Sequence, residues 1–217
     1  MSTALATPLT TIPHKSPGRP RSDSVRRAIL NATLQLLDKV GYAKLTVEGV
    51  AAMAQAGKAT IYRWWSSKPR LVCEALMEET DPDLPMTDTG SVREDFHRQM
   101  QSFAQLFNSA KGKRIAMIIG VAQEEPEVLD SFRSQFLLAR RAEAQQILQR
   151  GVRRGELRGE VFSDVALDAL YGPLFYRLMV EQGSISQEYV EALCDLVMSG
   201  LLRDPSSRPA GGEQVPN

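Results

Sequence analysis

Residues 56–72 (AGKATIYRWWSSKPRLV) bring four basic and three large aromatic side chains into one short span. A buried helix rarely carries so much charge, and a fully solvated helix has no use for two tryptophans. Lysine and arginine can donate to guanine edges, and threonine and tyrosine hydroxyls can donate to phosphate oxygens. The combination therefore favours a surface that packs on the protein on one side and contacts nucleic acid on the other.

Two residues of this span, Ile61 and Trp65, are four positions apart and are predicted to share the packing face of a helix. A small residue such as Ala59 can touch a thymine methyl group. The other residues of this helix are predicted to contact a DNA groove and its phosphates, namely Lys58, Ala59, Thr60, Tyr62 and Arg63. Lys68, at the start of the next helix, is predicted to contact a phosphate as well.

Three predicted helices would position these side chains. Apolar residues recur at three- and four-residue steps from about Ser24 to a stop at Gly41. Thr46 is the predicted N-cap of a second, short helix, which residues 55–57 interrupt before a third helix at about 58–65. Three short helices with a tight break before the third are typical of a helix-turn-helix, whose third helix lies in the DNA major groove.

The segment LTVEGVAAMAQAGKATIYRWWSSKPRLV resembles the DNA-binding region of the TetR family of bacterial transcriptional regulators, over about residues 24–76. The resemblance implies that Lys58, Ala59 and Arg63 approach bases. It also implies a set that holds phosphates or frames the groove, namely Thr46, Thr60, Tyr62, Trp64 and Lys68.

The predicted turn departs from the family at Gln55, where members usually have glycine. A left-handed backbone costs glutamine roughly 1 kcal/mol or more. Gly57, two residues later, is therefore an alternative place for the bend.

Charge divides the chain unevenly although the net charge is +0. Residues 1–70 hold eleven Lys/Arg and three acidic residues, a balance of +8, so residues 71–217 have a balance of −8. This asymmetry suggests a basic module aimed at a polyanion and an acidic body. Residues 1–22, rich in Thr, Pro and Ser, are predicted to be a flexible arm whose Arg19 and Arg21 are candidates for entering an adjacent minor groove.

The predicted fold class is all-α. A helix-turn-helix DNA-binding domain at 23–76 precedes an antiparallel helical ligand-binding and dimerisation domain at 77–203, and residues 204–217 form a disordered tail. The last two predicted helices are apolar nearly all round, so they must be buried on two sides. A two-fold interface with a second subunit achieves this, and a buried hairpin within a monomer is the alternative. The candidate interface residues are Leu167, Leu170, Leu174, Leu178, Leu193, Val197 and Leu201.

The resemblance to the TetR family also implies a pocket for a small-molecule effector among the helices of the second domain. The candidate lining residues are Phe103, Phe107, Met117, Phe136, Tyr171 and Phe175. Aromatic and methionine residues at helical spacing are also ordinary core residues, so that alternative stays open.

Other classes of site and location find little support in the sequence. Cys73 and Cys194 lie in apolar surroundings and are expected to be buried free thiols, which fits a reducing cytoplasm. No metal-ligand spacing, catalytic constellation or glycine-rich phosphate loop occurs, so we expect no metal, no cofactor and no enzymatic activity. The longest apolar run, residues 115–122, is far short of the roughly 20 residues that span a membrane.

The sequence therefore predicts a cytoplasmic, homodimeric repressor that leaves a palindromic double-stranded DNA operator when a small molecule binds. A ligand-independent DNA-binding regulator or an activator is the main alternative. A helical enzyme or small-molecule carrier is a more remote one.

Overall fold

The computed structural model describes residues 19–158 and 163–202, and only the backbone of residues 19–22. The described part is helical and contains no strand beyond a single bridge between Leu157 and Leu202, so the all-α prediction is confirmed. The helices are α1 (Arg19–Lys44), α2 (Val47–Ala54), α3 (Lys58–Trp64), α4 (Lys68–Thr80), α5 (Val92–Phe107), α6 (Ala110–Ala122), α7 (Pro126–Phe132), α8 (Leu138–Arg153), α9 (Ser163–Tyr176) and α10 (Gln187–Leu201).

Helix α1 begins earlier than the sequence pattern indicated. It starts at Arg19, inside the arm that was predicted to extend to residue 22, whereas residues 1–18 lie outside the described chain. Its regular part stops where it was predicted to stop, because Gly41 has a φ of 75° and a ψ of 169°. The backbone of Arg19 and Arg21 therefore belongs to a helix rather than to an arm, which corrects that prediction.

The first three helices form the N-terminal unit. Helix α1 packs on α2 and α4, and α2 packs on α3. Ile61 and Trp65 are buried, as their four-residue spacing predicted. The opposite side of α3 is left open to solvent.

Helix α4 joins the N-terminal unit to the rest of the chain. Glu74 and Glu78 on α4 both accept hydrogen bonds from Arg26 on α1. The other faces of α4 pack on α6, α7 and the π-helical turn Arg133–Leu137. A shift of α4 would therefore change its packing both against α1 and against α6 and α7.

Helix α5 is central to the second part of the chain, where it packs on α6, α8, α9 and α10. Its buried residues Phe96, Met100, Phe103 and Phe107 recur at three- and four-residue steps. The fully buried Asp95 near its start accepts hydrogen bonds from the Thr89 amide and hydroxyl and from Arg150 on α8. This network anchors the preceding loop and satisfies a charge that would otherwise be costly to bury.

The structure corrects part of the predicted subunit interface. Leu167, Leu170 and Leu174 are buried inside the chain's own core, and Leu178, Leu193, Val197 and Leu201 are partly buried against it. The apolar residues that α9, the π-helical turn Arg177–Glu181 and α10 leave most exposed are instead Val165, Tyr176, Val180 and Leu196. Because these helices are apolar nearly all round, their sequence could not indicate which side turns inward.

Candidate nucleic-acid interface and cavity

Helix α3 presents most of the predicted DNA-contacting side chains on its open side. Lys58, Ala59, Tyr62 and Arg63 are exposed, and Thr60 is half-buried. The arrangement follows from the four-residue spacing of Ile61 and Trp65, which fixes the opposite face against α2 and the core. One short helix thus carries hydroxyl, ammonium and guanidinium donors on a single accessible surface.

The ammonium group of Lys58 already has an anionic partner. Glu48 on α2 forms an ion pair with it across the turn, and both side chains remain largely exposed. The hydrogen bond from Lys58 lowers the pKa of the Glu48 carboxyl, and the same bond raises the pKa of Lys58. Sequence reasoning missed Glu48 as a member of this surface, and its only signal was an acidic residue in an otherwise basic segment.

Aromatic rings lie against the cationic side chains at both ends of α3. The Arg63 guanidinium lies 5.4 Å from the centre of the Trp64 ring, which itself packs edge-on against buried Trp65. Tyr62 is 46% exposed, and the Lys58 ammonium lies 5.7 Å from the centre of its ring. Stacking restricts the motion of these long side chains, so fewer rotamers are lost when they contact a ligand.

Lys68, predicted to bind phosphate, has a structural partner in the protein. Its ammonium donates to the Tyr42 carbonyl oxygen at 3.2 Å and lies 4.0 Å from the centre of the Tyr42 ring. Tyr42 is buried, and burial raises the pKa of its hydroxyl. An ammonium has three donors, so this contact leaves Lys68 able to bind a phosphate while it also ties α4 to the end of α1.

The turn between α2 and α3 bends at Gln55, although glutamine is an unfavourable residue for a left-handed backbone. The Thr46 hydroxyl accepts a hydrogen bond from the Gly49 amide at 3.0 Å, which confirms the predicted N-cap. Gln55 is left-handed with a φ of 51°, whereas Gly57 has an ordinary φ of −70°. The alternative in which Gly57 makes the bend is therefore wrong.

A cavity of about 240 Å³ lies between α5, the π-helical turn Arg133–Leu137, α8 and α9. Four of the six predicted pocket residues line it: Phe103, Phe136, Tyr171 and Phe175. Phe107 instead packs edge-on against Phe103 and Phe175 and lines a separate cavity of about 620 Å³. Met117 on α6 is 37% exposed and lines neither cavity, so its inclusion was wrong.

Neither cysteine nor any other described residue builds a metal centre. Cys73 and Cys194 are free and buried, as predicted, and burial raises the pKa of Cys73 to about 12 and that of Cys194 to about 11. Both thiols therefore stay protonated at neutral pH. Across residues 19–158 and 163–202 there is no cluster of three or more His, Cys, Asp or Glu side chains with metal-binding geometry.

Family models match both parts of the chain. Residues 29–75 match the model described as bacterial regulatory proteins of the tetR family, and residues 86–197 match the tetracyclin repressor-like C-terminal domain. The chain belongs to the TetR family of bacterial transcriptional regulators. The resemblance that residues 24–76 suggested is thus confirmed, and it extends over the second part of the chain.

Individual relatives and solved structures agree with this placement. An uncharacterised helix-turn-helix regulator of Bacillus subtilis, YdeS, is 35% identical over 184 residues, which cover 85% of this chain and 91% of YdeS. The crystal structure of the TetR-family regulator SCO0332 superimposes with a TM-score of 0.71 at 30% identity, covering 82% of this chain and 98% of that one. The SmeT–triclosan complex shares the fold at 19% identity, with a TM-score of 0.62 over 89% of this chain and all of SmeT.

This TetR-family chain is accordingly a DNA-binding transcriptional regulator rather than an enzyme. Its family binds DNA and ligands and forms dimers. Within the described residues, no helix combines the length and the apolar character that crossing a membrane requires.

Proposed function

We propose that this regulator is a homodimeric repressor that binds a palindromic operator through α3 and leaves it when a small molecule enters the 240 Å³ cavity. The observation that carries the proposal is the presence, in one chain, of an exposed cationic α3 surface and a cavity lined mainly by aromatic side chains. The family model for the second part is described as tetracyclin repressor-like, which supports repression. SmeT, of the same fold, was solved with triclosan, which supports a small-molecule effector.

For operator recognition, we assign Lys58, Ala59 and Arg63 to base edges because they project from the exposed side of α3. Phosphates would be contacted by Thr46, Thr60, Tyr62 and Lys68, with Trp64 positioning the Arg63 guanidinium. Side chains that touch bases set sequence preference, whereas phosphate contacts strengthen binding to every duplex. The two groups are therefore separable by mutation.

For dimerisation, we assign the outward surface of α9 and α10. Val165, Tyr176, Val180 and Leu196 are between 57% and 73% exposed, which is unusual for large apolar residues that share one hairpin. Packing this surface on its two-fold copy would bury it and form a four-helix interface. In the simplest geometry the two α3 helices then meet successive major grooves about 34–36 Å apart.

Dimerisation is tested by light scattering on Leu196→Lys, which places a charge at the most exposed of these positions. We expect a monomer where the unaltered protein is a dimer, with weaker operator binding. Val152→Lys is the matched control, because Val152 is an exposed apolar residue on α8, outside the α9–α10 hairpin. A dimer that survives Leu196→Lys would contradict the assignment.

For ligand release, the contacts around α6 supply a route from the cavity to the N-terminal unit. Helix α9 lines the cavity, and the π-helical turn that continues it contacts α6. Arg114 on α6 donates to Asp38 on α1 at 2.7 and 2.8 Å and to Glu79 on α4 at 2.6 Å. A displacement of α9 would therefore be transmitted through α6 to α1, which belongs to the N-terminal unit, and to α4, which joins that unit to the rest of the chain.

The whole proposal is tested by sequencing the genomic fragments that the purified protein retains at physiological salt. We expect a two-fold symmetric motif with half-sites about one helical turn, or a multiple of it, apart. Compounds that raise the melting temperature in a ligand screen should then weaken binding to that motif by about 5- to 150-fold. Compounds that stabilise the protein without changing its DNA affinity would argue for a ligand-independent regulator.

A further inference from the structure

The walls of the 240 Å³ cavity are mostly aromatic and aliphatic. Phe103 and Tyr171 pack edge-on with ring centres 5.3 Å apart, and Phe136 and Phe175 complete the aromatic lining. Burial raises the pKa of the Tyr171 hydroxyl, which donates to Gln99 and therefore stays neutral. The volume lies just below the roughly 300 Å³ at which ligand pockets begin, so the space suits one or two fused rings.

Two guanidinium groups interrupt this apolar lining, and one of them is buried. The Arg140 side chain is 5% exposed, and its terminal nitrogens reach Glu143 at 3.0 Å and Asp81 at 2.8 Å. Its Nε is buried without a hydrogen-bond partner in the described part of the chain. A buried N–H donor without an acceptor is costly, so an acceptor delivered by a ligand would be favoured there.

The second guanidinium, on Arg141, is engaged with residues of α9. It donates to Asp168 at 2.8 Å and to Asp164 at 2.9 Å, which clasps α8 to α9 along the cavity. Asp168 also lines the cavity, and its side chain is 71% exposed. Because water can solvate the released carboxylate of Asp168, a ligand carboxylate can replace it on Arg141 at little cost.

We propose that the effector of this cavity is a small aromatic carboxylate. Its ring system would lie among the four aromatic side chains, and its carboxylate would accept from Arg140 Nε and take the place of Asp168 on Arg141. The inference rests on the proposed function, since it names the class of molecule that causes release.

Arg140 also provides a link to the N-terminal unit. Asp81, which accepts from Arg140, is the residue directly after α4, and Met77 of α4 lies 3.6 Å from the same guanidinium through its sulfur. A ligand carboxylate bound to Arg140 would compete with Asp81 for the Arg140 guanidinium. Loss of the Arg141–Asp168 pair at the same time loosens α9 from α8. Ligand binding would therefore alter two contacts, that of α9 with α8 and that of α8 with the end of α4.

The inference is tested with three probes of one shape and different charge, namely 2-naphthoate, neutral 2-naphthamide and the cationic 2-(aminomethyl)naphthalene. Binding to the full-length protein is measured by isothermal titration calorimetry. We expect 2-naphthoate to bind at least about ten-fold more tightly than the amide, and the amine to bind most weakly. Equal binding of acid and amide, preference for the amine, or no binding of the acid would each overturn the inference.

Substitutions at the clasp sharpen the test without disturbing buried Arg140. Asp168→Asn removes the competing carboxylate, so it should strengthen 2-naphthoate binding about three- to ten-fold and leave the amide unchanged. Arg141→Gln should weaken the acid alone. Asp195→Asn, which removes an exposed, arginine-paired acid on α10, is the matched control and should change neither. An unchanged preference for the acid in both cavity variants would contradict the assignment.

Failure of this inference differs from failure of the proposed function. If a neutral compound releases the operator and 2-naphthoate does not bind, ligand-released repression stands and the aromatic carboxylate is wrong. If 2-naphthoate binds with the expected charge preference but DNA affinity is unchanged, the ligand class stands and ligand-released repression is wrong.

Discussion

The Glu48–Lys58 ion pair places an anion on the surface that we assign to DNA, so its removal should strengthen binding. In Glu48→Gln, Lys58 keeps its charge and loses its intramolecular partner, which frees the ammonium for a phosphate or a base edge. Each additional phosphate contact makes the slope of log affinity against log salt concentration steeper by about 0.9. Near 0.15 M salt, one such contact corresponds to roughly five-fold tighter binding. We therefore expect about five-fold tighter binding to random duplex DNA per subunit, and up to about 30-fold for a dimer.

The assay is fluorescence anisotropy over a series of salt concentrations, with a random duplex and with a duplex recovered from genomic selection. Glu188→Gln is the matched control, because Glu188 is also an exposed acid in the first turn of a helix and its pKa is also lowered. We expect the control to change neither the affinity nor its salt dependence. The comparison separates the local effect of Glu48 from a general change in net charge.

Two results would refute the reasoning on Glu48. Unchanged affinity and salt dependence for both duplexes would mean that Lys58 does not face DNA. Weaker binding to the selected duplex with stronger binding to the random one would mean that Glu48 itself reads a base, as a carboxylate can do with a cytosine amino group. Since the hydrogen bond from Lys58 lowers the pKa of Glu48, the carboxylate stays ionised to a lower pH than an ordinary glutamate, and mild acidification should not mimic the variant.

Three further predictions concern the turn, the buried charge and the site assignment. Gln55→Gly should stabilise the protein by about 0.5–1 kcal/mol and raise the melting temperature by about 1–4 °C, because glycine adopts the observed φ of 51° without strain; a lower melting temperature would contradict this. Asp95→Ala should lower the urea-derived free energy of unfolding by about 3–5 kcal/mol, because it leaves Arg150 without its buried partner; a loss below about 1 kcal/mol would show that the network contributes little. Tyr62→Phe should weaken binding to all duplexes alike, whereas Lys58→Ala should also relax base preference; equal operator affinity in gel-shift titrations of both variants and the unaltered protein would refute the assignment.

Much of the N-terminal unit could be predicted from sequence because its signals are local. The Thr46 cap, the stop at Gly41 and the burial of Ile61 and Trp65 each depend on residues within about one helical turn. The cation-rich stretch then predicted that the other side of α3 contacts DNA. The site was incomplete where partners come from elsewhere in the sequence, as with Glu48 for Lys58 and Tyr42 for Lys68.

Tertiary structure alone decided the rest. The sequence by itself determined an all-helical regulator with a basic first segment, since periodicity and charge distribution are properties of the chain. It could not determine which leucines of α9 face the core, because a helix that is apolar all round has no preferred side until its neighbours are packed. It also could not pair Arg140 with Asp81, 59 residues away, because only packing of α8 beside the end of α4 brings those groups together.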